Sequence, residues 1–184
     1  MHYPNKANAK VFKAYPDAVL PTKPTSVLDS GWDVSAHNLV KHMAAITEVK
    51  HSRVIEEDIS NLCDFSKDGV VLNPGDRALI GTGIIVTTDP GYEIQVRSRS
   101  GLSLKQGLTV TNSPGTVDSA VYRKELGVIL TNTSATQQKI SKGDRIAQIV
   151  LAEVCIFDSW QEVGSVEEMG TTERGESGFG SSGK

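Results

Sequence analysis

The 184-residue sequence is poor in cysteine. It has two, Cys63 and Cys155, too few for a disulfide framework, and a reducing cytosol is the simplest compartment for it, whether the cell's own or that of an infected host. No apolar run approaches the ~20 residues needed to span a bilayer. The opening Met1-His2-Tyr3-Pro4-Asn5-Lys6 lacks the apolar core of a secretory leader. Positive charge is not in excess: 19 Lys and Arg against 22 Asp and Glu give a net charge of -3 and a pI of about 5.8. That excludes a general nucleic-acid coat, which needs a basic surface, and leaves open a small anionic ligand held by a few local cations. What is present is ordinary globular composition. Hydrophobic residues make up 38%, and 17 glycines add to them, which suits one domain with appendages.

The middle of the chain reads as all-β. Turn signals recur at Asn73-Pro74-Gly75-Asp76, Asp89-Pro90-Gly91, Ser113-Pro114-Gly115 and Ser141-Lys142-Gly143-Asp144. Between them lie β-rich runs at 78–86, 92–96, 108–111, 126–131 and 146–157. Short strands punctuated by Gly and Pro predict a sandwich, barrel or jelly roll. No helix with clear caps is predicted in 70–160. The apolar run 146–157 is predicted to be buried on both faces, against another subunit. Leu39, Met43 and Ile46 fit one helical stripe. Residues 170–184 hold five Gly and three Ser, a composition that cannot build a core.

Five segments carry candidate chemistry. Arg97-Ser98-Arg99-Ser100-Gly101 places guanidiniums, hydroxyls and a close-approach glycine after a strand, which suits phosphate; a solvated strand end is the bland alternative. Asn112-Ser113-Pro114-Gly115-Thr116-Val117-Asp118 leads into Tyr122-Arg123-Lys124-Glu125. A carboxylate after a rigid turn can activate water, although a lone turn Asp is more often a turn former. Gly143-Asp144-Arg145-Ile146-Ala147-Gln148 opens the most apolar strand, where Gln148 needs a hydrogen-bond partner; alone it reads as structural. Ser30-Gly31-Trp32-Asp33 offers a carboxylate suited to a hydrated Mg²⁺, with a turn aspartate the simpler reading. The tail, from Arg174 to Gly183, spaces Arg174 and Phe179 among glycines, so it can wrap phosphates and stack on a base, closing as a lid.

In this order and at these separations, the five segments resemble the five motifs of the trimeric dUTPase family. Pro16 to Thr22 is also similar to that family's first strand. The resemblance runs from about Val11 to Lys184, broken at 37–68. It implies a distorted jelly-roll (β-clip) subunit at 1–169 with a flexible lid tail at 170–184. It also implies a homotrimer whose active sites are shared between chains, with dUTP hydrolysed to dUMP and pyrophosphate in the presence of Mg²⁺. Carried over by position, Asp118 is the base that activates water for attack on the α-phosphorus. Arg99, Ser100 and Gly101 hold phosphates of a neighbouring site. Asn112 and the hairpin backbone after it, through Gly115 and Val117, read the uracil edge, and Tyr122 packs under the deoxyribose. Gln148 contacts the α-phosphate region, and Asp33 anchors a metal-bound water. Arg174, Phe179, Gly180, Ser181 and Ser182 close over the nucleotide.

Three departures from the family pattern stand out. Ser119, Ala120 and Val121 separate Asp118 from Tyr122, one residue more than in the family, and an extra residue in a hairpin makes a bulge or turns the following side chains over. Lys124 stands in place of a glycine, and Arg97 in place of a smaller residue. The insertion at 37–68 is expected to form a surface arm that contacts a neighbouring subunit or a partner protein. Its histidines His37, His42 and His51 match no zinc spacing. The alternative to catalysis is a nucleotide-binding regulatory protein on the same scaffold that acts through this arm. A related dCTP deaminase ranks lower.

Overall fold

Turn residues divide the chain before packing does. Gly75, Gly91 and Gly143 have φ of 84°, 86° and 89°, a left-handed conformation that costs little only without a Cβ. The computed structural model describes residues 7–23, 25–26, 28–44, 49–50, 53–54, 58, 60, 64–119, 124–155 and 159–170.

Fourteen strands occur among the described residues, in chain order β1 (Ala9–Lys13), β2 (Trp32–Ser35), β3 (Asn38–Met43), β4 (Val49–Lys50), β5 (Arg53–Val54), β6 (Val70–Leu72), β7 (Arg77–Gly81), β8 (Ile84–Thr88), β9 (Tyr92–Arg97), β10 (Leu108–Val110), β11 (Gly115–Val117), β12 (Gly127–Asn132), β13 (Gln138–Ile140) and β14 (Arg145–Glu153). Two short helices accompany them, α1 (Phe65–Asp68) and α2 (Ser100–Gln106). The strands form two four-stranded sheets, β10-β12-β7-β3 and β11-β9-β14-β2, with β1-β8, β13-β6 and β4-β5 as smaller pairs. Every pairing is antiparallel. The result is the expected mostly-β, jelly-roll-like fold.

Alternation builds the core. Val128, Leu130 and Asn132 of β12 are buried, while Gly127, Ile129 and Thr131 between them are only partly so. Ile80, Ile84, Leu108 and Ile146 are at most 2% exposed, each contributing about 1.5–3 kcal/mol by burial. Asn132 is fully buried, and its amide donates to the carbonyls of Leu72 and Thr136 at 2.9 and 2.8 Å, so its polarity is satisfied.

Four expectations change. The run at 78–86 is two strands, because Gly81-Thr82-Gly83 turns the chain, with Gly83 at φ 71°. The run at 146–157 is a strand only to Glu153; within the single chain Ile146 and Ala147 are its buried residues. Leu39 and Met43 lie on a strand, not a helix: β3 is the edge of a main sheet, paired with β7, and Ile46 lies outside the described residues. Finally, α2 is a helix where none was expected. Its N-cap residue Arg99 makes no side-chain cap, so its only local signal is Gly107 in the left-handed C-cap position.

Because β3 belongs to the sheet, the segment 37–68 starts inside the domain. The buried ring of His42 hydrogen-bonds the buried Asp76 carboxylate, Nε2 to Oδ2 3.2 Å, and Phe65 of α1 is also buried. His37, stacked on Tyr15 with ring centroids 4.6 Å apart, meets Asp17 at 3.0 Å. Lys142 meets the other Asp17 oxygen at 2.6 Å. The Lys142 ammonium, and after it His37, holds the Asp17 carboxyl well below the usual carboxylate range. The chain forms two compact units, Met1–Val154 and Cys155–Lys184. In the second unit the described residues make one 3-10 turn, Val166–Met169, with Trp160 exposed.

Candidate active site

A cleft of about 560 Å³ is lined by residues of β11 and β12 and of the segments that flank them. Asn112, Gly115, Val117 and Asp118, all singled out in the sequence, line it together. Leu79 and Gly81 of β7 and Val40 of β3 also line it. Val117 is buried beneath the cleft, whereas Asp118 is exposed at its edge. Among the described residues, Asp118 makes no side-chain hydrogen bond.

Glycines set the width of this cleft. Gly127 and Gly81 lie directly opposite one another in the β12–β7 ladder. A Cβ on Gly127 would meet Leu79 Cδ1 at 2.7 Å, and one on Gly81 would collide with Asn38 and Glu125. A Cβ on Gly115 would lie 3.1 Å from Asn112 Nδ2 and 3.4 Å from Val96 Cβ. Gly115→Ala therefore has to displace the Asn112 amide. We expect the KM for the nucleotide to rise about 3- to 10-fold while the unfolding midpoint stays near wild type; steady-state kinetics beside thermal melting checks both.

The mouth of the cleft is tied down at the β7–β8 turn. Glu125 accepts the Gly83 N–H through Oε1 at 2.5 Å. Thr82 donates both its N–H, at 3.1 Å, and its hydroxyl, at 2.7 Å, to the Leu126 carbonyl. Sequence reasoning did not assign Val40 or Glu125 to the site. Glu125 was visible as the last residue of the hairpin motif; Val40 had no local signal, because it enters through strand pairing.

A second cluster gathers the remaining described candidates. Gln148 of β14 lies opposite Asp33 of β2 on one side and Arg97 of β9 on the other, and its amide donates to the Ser98 carbonyl at 3.0 Å. Arg99 follows β9 and turns its Nε onto Asp33 Oδ1 at 2.9 Å. Ser100 and Gly101 open α2 and are exposed. Asp33 is only 3% exposed, and its other oxygen accepts from Arg145 at 3.1 Å. Nothing in the sequence marked Arg145 beyond its place in Gly143-Asp144-Arg145.

The cleft residues run along β9. Gly115 pairs with Val96 and Val117 with Ile94, so Asp118 continues toward Glu93 near the strand's start, while Arg99 lies past its end. The six residues of β9 span about 20 Å at a rise near 3.3 Å per residue. Tyr122, Arg174, Phe179, Gly180, Ser181 and Ser182 lie outside the described residues.

The family model for dUTPase matches residues 62–183. A deoxyuridine 5'-triphosphate nucleotidohydrolase of Nautilia profundicola is 50% identical over 119 residues, 65% of this chain and 80% of that protein. The enzyme of the same name from Ehrlichia canis is 54% identical over 114 residues, 62% of this chain and 72% of that one. Among solved structures, the Staphylococcus bacteriophage 80alpha dUTPase with dUpNHpp superposes with a TM-score of 0.67 at 25% identity, covering 96% of this chain and 99% of that one.

Proposed function

The chain belongs to the dUTPase family and is a dUTP nucleotidohydrolase, and from that premise we propose that Asp118 is the base that activates water for attack on the α-phosphorus of dUTP. The observation that carries this is the cleft itself. It gathers Asn112, the Gly115–Val117 backbone and Asp118 along one stretch of chain. A base held by that stretch would be read by fixed polar groups, and a mismatched one would leave them unpaired. Asp118 at the edge is placed to take a proton from water.

The phosphates then need cations, and phosphoryl transfer relies on positioning and charge stabilisation more than on covalent chemistry. Arg99, Ser100 and Gln148 have the right chemistry but sit about one strand length away from Asp118. That separation supports a site completed by neighbouring copies, in which one chain provides the hairpin and another the Arg99 cluster. A homotrimer with shared sites is the arrangement proposed. Tyr122 would pack under the sugar. The tail, with Arg174 and Phe179, would close over the nucleotide and exclude water.

The metal reading meets a different geometry. Both oxygens of Asp33 are engaged by guanidiniums, and among the described residues no group of three or more His, Cys, Asp or Glu side chains is placed to hold an ion. The residues here do not fit a resident Mg²⁺ at Asp33, so Mg²⁺ is proposed only as part of the nucleotide complex taken as substrate. The arm-dependent regulatory reading is not favoured over hydrolysis.

The test is pyrophosphate release from dUTP, with UTP, dTTP and dCTP in parallel and Mg²⁺ present or chelated. Release from dUTP alone is expected. Equal release from UTP would show that the additional residue before Tyr122 has cost the sugar selection. No release, with dUTP still bound, would remove Asp118 as the base. Deleting residues 174–184 should lower turnover about tenfold or more and leave the melting curve unchanged; unchanged turnover would remove the lid.

A further inference from the structure

β3 breaks its own pairing at Val40. Asn38 lies opposite Gly81 of β7 and Leu39 opposite Ile80, but Lys41, not Val40, lies opposite Leu79, and His42 and Met43 follow opposite Ala78 and Arg77. The register shifts between Leu39 and Lys41, and Val40 is the additional residue of the bulge. Paired residues share a face of the sheet, and faces alternate along a strand. Unbroken pairing would set Lys41 beside Ala78, which is 1% exposed. The bulge instead puts His42 there, where its ring meets the buried Asp76 carboxylate, and it leaves Val40 and Lys41 both exposed. Bulges recur beside active sites, where they re-aim a side chain.

Val40 is a lining residue of the nucleotide cleft. Other apolar side chains of the lining are buried, as Val96, Val117 and Val128 are, or partly buried, as Leu79 and Ile129 are; Val40 is 50% exposed. It therefore has free apolar surface to give to a ligand. Its backbone is held on both sides, by pairing to β7 before the bulge and by pairing and the His42–Asp76 bond after it. A β-branched side chain is also stiff at χ1, so Val40 presents a fixed shape. Val40 precedes residues 62–183, which the dUTPase family model matches, and it falls where the resemblance to the family's motifs is broken.

We propose that Val40 is a specificity-determining residue, whose branched side chain meets the carbon edge of the pyrimidine and keeps out a substituent at position 5. The inference rests on the dUTPase reading. Uracil has two kinds of edge. O2, N3–H and O4 need hydrogen bonds, for which Asn112 and the Gly115–Val117 main chain are at hand. C5 and C6 carry only hydrogen and suit an apolar neighbour. Thymine adds one methyl group at C5. An apolar wall tells such a base apart by size alone, which is worth about 10- to 200-fold for one carbon, and only if the wall cannot move aside.

The test is kcat/KM for dUTP and for dTTP, read as pyrophosphate release by the full-length chain, for the wild type, Val40→Ala and Val40→Thr. Val40→Ala is expected to raise kcat/KM for dTTP about tenfold or more and to lower it for dUTP, because an apolar contact is lost. Val40→Thr keeps the branched shape and should keep the wild-type discrimination. An unchanged dTTP-to-dUTP ratio in Val40→Ala would overturn the proposal. An equal fall for both substrates would do the same, since it makes the bulge merely structural; a changed oligomeric state by light scattering beside that fall would place Val40 between copies of the chain. Relaxed discrimination in Val40→Thr would show that polarity rather than shape decides, and would also overturn it. Val40 is half-exposed and its truncation leaves the core alone; should Val40→Ala still fail to fold, the Val40→Thr result decides. Failure of the wild type to release pyrophosphate from dUTP would overturn the function reading together with this one, whereas normal wild-type behaviour with an unaltered Val40→Ala ratio overturns this one alone.

Discussion

Asp118→Asn should reduce pyrophosphate release from dUTP by about 10³-fold, within the range that loss of a general base costs, while dUTP binding and the melting temperature stay at wild-type values. Aspartate and asparagine have nearly the same shape. Asp118 is exposed at the edge of the cleft, and among the described residues it makes no side-chain hydrogen bond that the amide would break. The substitution therefore removes proton acceptance and little else. Stopped-flow pyrophosphate release, read beside calorimetric binding, separates the two quantities. Hydrolysis at the wild-type rate would mean that another group takes the proton, and Glu125 on the same cleft would be the first to test. Weaker binding in step with the slower rate would instead make Asp118 a substrate contact.

The second large effect is on stability. Asp76→Ala should destabilise the fold by about 3–5 kcal/mol, the usual cost of removing one partner from a buried charged or polar pair. Asp76 is 1% exposed. Its carboxylate accepts the Asn73 backbone N–H at 2.9 Å, the Asn73 amide at 3.1 Å and the His42 ring at 3.2 Å. Truncation strands the buried His42 ring and removes both bonds from Asn73. It also frees the Asn73-to-Asp76 turn from β3, whose His42 is the partner. Urea unfolding should show an earlier midpoint with an unchanged slope, and Asp76→Asn should recover part of the loss because it still accepts hydrogen bonds. A midpoint within experimental error of wild type would show that water replaces the carboxylate without penalty.

Local chemistry made part of this molecule legible. Gly and Pro turns bounded the strands 92–97, 108–110 and 127–132 to within a residue or two, because left-handed glycines must fall between strands. The stretch Asn112 to Asp118 reads as one site because its residues are neighbours in the chain and line one cleft. What escaped was set by pairing. Leu39 and Met43 fit a helical spacing, yet both are on β3, because hydrogen-bonding to β7 outweighs a weak local preference. The α2 helix escaped because its start carries no side-chain cap. Asp33 was legible as a functional carboxylate, but its two arginine partners lie 66 and 112 residues away. Arg145 reaches it only through a register shift that no local pattern records.

The glycines that line the cleft limit how the site can change. Gly81 and Gly127 are side by side in the β12–β7 ladder, and Gly115 is packed against Asn112, so at these points the lining is bare main chain. Main chain keeps its hydrogen-bonding groups whatever the codon, and glycine is already the smallest residue. A side chain added at any of these three positions narrows the cleft; none can enlarge it. A lineage under pressure to accept a bulkier base would have to alter it through Val40 or Leu79, or through a shift of the strands themselves, which leaves few single steps that widen the site's selectivity.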